Sequence, residues 1–436
     1  MQFIKKIITS ILTLESRLIL KKHKPFIIAV TGSVGKTSTK DAIYTVVKAQ
    51  GGYARKSEKS MNSDIGLPLT VIGVPNAWHD IRGWGSNIIA GAKLAFGRSE
   101  YPDCLVLEIG ADHPGDIQKV ARWLRPDISV ITRVSSTPVH VEFFSSPAQV
   151  FEEKAELALA VKKGGSLILF ADDEKVMSLT ARMKGKEVAV TSFGVSAAAT
   201  IRGSQETVMY SEGLPTGMSF KLDLDGSSIP VPIPGAIGIS HLYPLLAAVA
   251  VGKARGMSST AIVEALKGYQ PPHGRMNLIP GMNGTALIDD TYNSSPDAVL
   301  AALDALKGIE GGGRKIAILA DMMELGKYSS EEHRRAGREA AVRLGPADIL
   351  VTVGQRSRST ADEAISAGMP PASVHPFDTA LEAADYVKSV IHSGDIILIK
   401  GSQSTRMERA VKALMREPAR AADLLVRQES EWLEKA

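Results

Sequence analysis

Apolar residues in the first 24 positions (Phe3, Ile4, Ile7, Ile8, Ile11, Leu14, Leu18 and Ile19) recur every three or four residues. That spacing predicts one stripe of an amphipathic helix. Lys5, Lys6, Glu15 and Arg17 interrupt it, so it is not a membrane span. The apolar run Ile7–Leu14 is short and no small-residue cleavage site follows, so it is a poor signal peptide. A basic amphipathic helix can lie on an anionic membrane. The plainer expectation, preferred here, is a helix docked on its own domain.

Pro25 ends that segment and the period changes. Phe26–Val30 is a continuous apolar run followed by a glycine turn and a helical stretch, which predicts the start of an α/β unit. Cys104–Ile109, Ile128–Ile131 and Ser166–Phe170 repeat the pattern, as in a mostly parallel sheet covered on both faces. Residues 187–233 alternate Thr, Val and Ser with glycine turns and read as a small antiparallel appendage. A helical region over 241–268 leads to Pro271-Pro272-His273-Gly274, a hinge-like break. The α/β rhythm then restarts with Ala286–Ile288, Lys315–Ala320, Ile349–Val353 and Asp395–Lys400. The predicted fold class is α/β: a P-loop central domain over 25–275 behind an N-terminal helix over 1–24, then a Rossmann-like domain over 276–436. Residues 417–436 read as a charged, peripheral helix.

Charge and cysteine count narrow the function. The 436-residue chain has a formal charge of +4, but residues 1–24 hold six Lys/Arg against Glu15, so the body is close to neutral. On that ground the body is not a nucleic-acid binder. A single cysteine, Cys104, excludes a disulfide framework or a cysteine-rich metal site and fits a reducing, cytoplasmic setting. A monomer is expected.

Thr31-Gly32-Ser33-Val34-Gly35-Lys36-Thr37-Ser38 sits between a strand and a helix. Backbone N–H groups of such a loop and the helix N-terminus form an anion nest. Lys36 would neutralise phosphate charge, and Thr37 would complete a Mg²⁺ shell. The full Walker pattern places a glycine where Val30 stands, so this is a shortened variant. Glu108 ends a strand where open sheets place ligand-facing groups, and a carboxylate there suits Mg²⁺. His140, in a loop after a strand, reads on its own as structural, and Lys154 among Glu152, Glu153 and Glu156 as a solvated face. Asp289 and Asp290 at a strand end serve either a ribose or metal, or a helix cap. Arg275 at the hinge is placed to reach a transferring phosphoryl group, and Lys400 at a strand end to bind a carboxylate.

In chain order these segments resemble the Mur ligases of peptidoglycan synthesis, and among them the member that adds D-alanyl-D-alanine. The resemblance covers roughly residues 26–415. To the segments above it adds Lys59–Leu69 with Asn62, Glu108–Gly115, Lys154-Ala155-Glu156, Tyr292–Pro296, and Asp321–Gly326 with His333 and Gly337. Each is weak alone; their order carries the likeness. It implies ATP with two Mg²⁺ ions as cofactors, Glu108 and His140 as metal ligands, and Lys154 as a carbamylated lysine beside the metal. Thr31–Ser38, Arg275, Asp290 and Asn293 would bind ATP, with Asp290 on the ribose. Asn62 would face the acceptor, a UDP-muramoyl peptide, and Asp321, Glu324, His333 and Lys400 the incoming amine, D-Ala-D-Ala. The implied reaction passes through an acyl phosphate, with Lys36, Lys154 and Arg275 as the catalytic set.

Three departures accompany the resemblance. Those ligases carry an extra N-terminal domain that grips the uridine nucleotide, whereas only about 25 residues precede the first strand here, so a remodelled grip, a partner or another acceptor is expected. The family's His-Asn pair and later Asn fall on Ser240-His241 and Pro244, and its Asn-x-Gly is missing from Arg133–His140. The competing readings are another Mur- or folylpolyglutamate-type ligase and a non-catalytic ATP-binding partner. Tyr292–Pro296 and Met323–Gly326 speak against the first, and the retained Lys36, Glu108, His140, Lys154 and Arg275 against the second.

Overall fold

The structure is a computed structural model that describes residues 2–58, 61–78, 80–134, 141–311 and 313–434. The opening helix, α1 (Gln2–His23), is docked on its own domain. Its buried stripe of Leu12, Ser16 and Ile19 faces α3 (Gly66–Ile72) and α4 (Ile81–Phe96). Ser16 Oγ donates to the Leu12 carbonyl at 2.8 Å, Lys22 Nζ to that of Leu94 at 2.9 Å, and the His23 ring stacks on Tyr101 at 4.7 Å. Gly91 lets the two helices meet, since a Cβ there would stand 2.1 Å from Glu15 Oε2.

The apolar runs become the buried strands of a nine-stranded sheet. They are β1 (Phe26–Thr31), β2 (Ala54–Lys56), β3 (Cys104–Glu108), β4 (Ile128–Ile131), β5 (Ser166–Phe170), β6 (Ala189–Gly194), β7 (Ile201–Ser211), β8 (Leu214–Leu224) and β9 (Ser227–Pro234). Their order is β2-β3-β1-β4-β5-β6-β7-β8-β9, parallel from β2 through β7 and antiparallel from β7 to β9. The small antiparallel appendage expected over 187–233 forms from β7 to β9, while β6 at its start extends the parallel sheet beside β5. Thr/Val alternation shows one solvated face, not a break in the sheet. Chain order reverses around β1, between β3 and β4, which opens a crevice at their C-terminal ends. Helices α2 (Lys36–Ala49) and Ile239–Ala254 pack together beside that sheet, while α5 (Asp116–Leu124) and α6 (Pro147–Leu159) form a second pair.

After Tyr269 the core changes hands. The second sheet has the order β10-β11-β15-β12-β13-β14, from β10 (Asn277–Pro280), β11 (Ala286–Asp290), β12 (Lys315–Ala320), β13 (Ile349–Val353), β14 (Val374–Phe377) and β15 (Ile396–Lys400). All but β10 run parallel. Two apolar clusters cover its faces, one with Leu303 and Leu398, the other with Val387 and Ile397. The expected peripheral helix over 417–436 does not form. Leu425 turns extended and Arg427 takes a left-handed φ of 59°, which leaves only one-turn helices at Ala421–Leu424 and Ser430–Leu433, and Arg427 is buried against the second sheet's loops.

Candidate active site

The two sheets point strand ends into one cavity of about 590 Å³. From the first come the loop after β1, Glu108 at the end of β3, Arg133 after β4 and Phe170 at the end of β5. From the second come Asp290 and Lys400, neighbours in the β11–β15 register.

Ser33 through Ser38 line the cavity. Gly32 takes φ +152°, and a Cβ there would lie 1.9 Å from Thr132 Oγ1, so the loop can close only without a side chain. Gly35 caps α2 in the left-handed region with no side chain covering the helix end. The first N–H groups of α2 are therefore free for an anion. Thr31, by contrast, is buried outside the cavity, its hydroxyl given to the Ile109 carbonyl at 2.8 Å. Burial lowers the Lys36 ammonium below its ordinary value, the Glu108 carboxylate opposing and Arg275 adding to that fall. Lys36 thus feels residues of both halves.

Glu108 is buried; one oxygen accepts from Asn62 Nδ2 at 3.1 Å and the other, Oε2, has no partner among the described residues. An orphaned carboxylate oxygen costs about 1–3 kcal/mol, which a cation would offset. With the Thr37 hydroxyl on the same cavity, the oxygen donors suit a hard divalent ion. His140 lies outside the described residues. Lys154 on α6 is 5% exposed, not part of a solvated face. Burial, with the Lys36 charge adding to it, lowers its ammonium to about 7. Its neighbour Glu153 turns away, accepting from the amides of Gly115, Ile117 and Gln118 at the start of α5. A buried amine about half neutral at pH 7 is nucleophilic in that form and fits carbamylation.

On the opposite wall Arg275 lies over the Tyr292 ring at 4.1 Å, its Nε unpartnered among the described residues. His241 Nε2 pairs with the Arg275 carbonyl oxygen at 2.6 Å. Burial holds His241 down at about 4, so it is neutral and donates there. Lys400 Nζ donates to Asp290 Oδ2 at 2.6 Å and to the Asn293 carbonyl at 3.0 Å. Lys400 therefore fixes the loop that carries Asp290 and Asn293 before it can meet any amine. Glu324 lines the cavity, but Asp321 and His333 are not brought to it. Asp321 Oδ1 accepts from Ser357, and both His333 ring nitrogens are used, on Met322 N and the Ser329 carbonyl.

The sequence reading missed the apolar end of the cavity, where Phe170 packs on Phe193 at 5.6 Å and on Tyr243 at 4.7 Å. Phe170 was signalled by its place at a strand end; Phe193 and Tyr243 join it only through tertiary packing. Arg427 and Trp432 were missed too. Arg427 donates to the carbonyls of Thr291 and Tyr292 and to Glu408, and Trp432 lines the cavity.

Residues 30–252 match the Mur ligase middle domain, and residues 274–403 the glutamate ligase domain of the Mur ligases. The chain is 27% identical to the UDP-N-acetylmuramoyl-tripeptide--D-alanyl-D-alanine ligase of Bacillus subtilis over 392 residues, 90% of this chain and 76% of that one. The crystal structure of MurF from Acinetobacter baumannii superposes with a TM-score of 0.74 at 26% identity, covering 92% of this chain and 79% of that one. MurF from Thermotoga maritima, solved with ADP, shares the fold with a TM-score of 0.76 at 24% identity over 95% of this chain and 84% of its own. With more than half its length in the middle-domain match and the second sheet in the other, the chain belongs to the Mur ligase family.

Proposed function

We propose that this chain is an ADP-forming amide ligase that joins D-alanyl-D-alanine to a UDP-N-acetylmuramoyl tripeptide in peptidoglycan precursor synthesis, working in the cytoplasm. The observation that carries the reading is the meeting of an uncovered phosphate cradle, the free Glu108 oxygen and Arg275 in one cavity between two sheets. The B. subtilis relative, named for this reaction, supports the choice of substrates.

In this reading the ATP phosphates lie on residues 33–38, the base against Phe170, Phe193 and Tyr243, and the ribose on Asp290. Thr37 and Glu108, with His140 by resemblance, would hold Mg²⁺, which when bound neutralises phosphate charge. The neutral Lys154 amine adds to CO₂, an N–C bond forms and a proton leaves, and the carbamate would provide oxygen donors for a second ion. The acceptor carboxylate, beside Asn62, attacks the γ-phosphorus and ADP leaves. The dipeptide amine then attacks the acyl carbon, phosphate leaves and the amine loses a proton. Lys36 and Arg275 supply fixed positive charge where negative charge gathers.

The test is ATP-dependent phosphate release with Mg²⁺, omitting the muramoyl tripeptide or the dipeptide in turn. Release that needs both and disappears in Lys36→Ala supports the proposal. Release that needs neither, or that proceeds instead with a folate and glutamate, overturns it.

A further inference from the structure

We propose that the face formed by α1, α4 and the turn before α4 docks this protein on the surface of an anionic lipid bilayer. Six of the fourteen large apolar side chains exposed among the described residues lie here: Ile7 and Leu14 on α1, and Trp78, Ile81, Ile89 and Phe96 on or just before α4. Ile81 and Phe96 are 85% and 78% exposed. Along α4, Ile81, Ile89 and Phe96 fall on one stripe, with Gly85 between them. These are projecting tips with small residues between, not the walls of a groove.

Cations are interleaved with the tips. Lys6, Arg17, Lys21, Lys22 and Lys24 are exposed along or just after α1, and Arg82, Lys93 and Arg98 along or just after α4. Against them stand the exposed Asp80 and Glu100. Asp80 is engaged as the cap of α4, accepting from Arg82 N at 2.9 Å, and burial takes Glu15, the acid of α1, off the surface. The centre of a protein–protein interface is depleted of charge. Apolar tips mixed with Lys and Arg match instead the boundary of acyl chains and anionic headgroups, where Trp also settles. Trp84 Nε1 donates to the Trp78 carbonyl at 3.0 Å and so holds the turn that presents Trp78. No helix among the described residues is long and apolar enough to cross a membrane, so the contact is peripheral.

The test is co-sedimentation of the full chain with phosphatidylcholine vesicles and with vesicles containing about one-third phosphatidylglycerol, at low and high salt. Binding to the anionic vesicles alone, weakened by salt, is expected. Ile81→Glu with Phe96→Glu should lower partitioning at least about tenfold. Lys21→Glu with Lys24→Glu should lower it roughly thirtyfold. Unchanged melting temperatures show that the variants fold; if the apolar pair does not, the lysine pair and the salt dependence decide. Equal binding to both vesicle types, no binding to either, or full binding by the folded variants overturns the proposal. So does a dimer that only the apolar double variant dissolves, with lipid binding intact, since the face would then be a self-association surface.

Discussion

Replacing Lys154 by methionine should make the protein more stable and less active at once. The lysine is buried, and its ammonium falls from an ordinary 10.5 to about 7. At about 1.36 kcal/mol per unit, that difference corresponds to about 5 kcal/mol. The unfolded chain keeps the proton up to its ordinary value, whereas the folded one releases it near 7. Between those limits the unfolded state binds more protons, so stability rises with pH across the window and is flat below it. Methionine has similar length and no charge, so its variant lacks this slope. Denaturant unfolding in CO₂-free buffer would show it: the variant ahead by several kcal/mol at pH 7, with the gap closing toward pH 10. Phosphate release by the same variant should fall about a hundredfold or more, because the oxygen donors that a carbamate would supply are gone. A variant less stable than the parent at pH 7, or one with full activity, refutes the argument.

Lys36→Ala should abolish phosphate release, by about a thousandfold or more, with no loss of melting temperature, since burial already disfavours the ammonium that it removes. Asp290→Leu leaves Lys400 buried without its counter-charge and should lower unfolding free energy by about 3–5 kcal/mol, while Asp290→Leu with Lys400→Met restores much of it. Arg427→Ala deletes the donor that holds the Thr291 and Tyr292 carbonyls, and should raise the KM for ATP about tenfold in steady-state assays.

The parallel strands were readable because both of their faces are covered, so they stand out as unbroken apolar runs such as Ile27–Val30 and Leu167–Phe170. The phosphate loop was readable because glycines with special backbone angles leave a sequence signature. What the sequence hid depends on contacts between distant segments. β2 is three residues long, and its Arg55 and Lys56 give no strand signal. Lys154 looks solvated among its glutamates until Glu153 is seen spent on the amides of α5. The tail reads as polar because nothing in it announces that Arg427 will be paid for by Glu408 and two carbonyls.

Arg275 shows how the two halves are joined. Its carbonyl is held by His241 of the first half, while its guanidinium lies on Tyr292 of the second, whose N–H bonds back to the Gly274 carbonyl at 3.0 Å. Arg427 also reaches Tyr292, with its guanidinium 5.8 Å from the ring centre. A relative motion of the sheets must therefore either carry Arg275 with the second half, breaking the His241 bond, or keep it with the first and slide it off Tyr292. His241 is neutral and fully buried, so the freed carbonyl would have no water to replace it, whereas a guanidinium leaving a ring regains solvent or a phosphate. The second route, however, also gives up the Tyr292 N–H bond to the Gly274 carbonyl, so Gly274-Arg275 is tied to both halves, and His241, which stands where the family has the asparagine of its His-Asn pair, holds the first-half end of that tie.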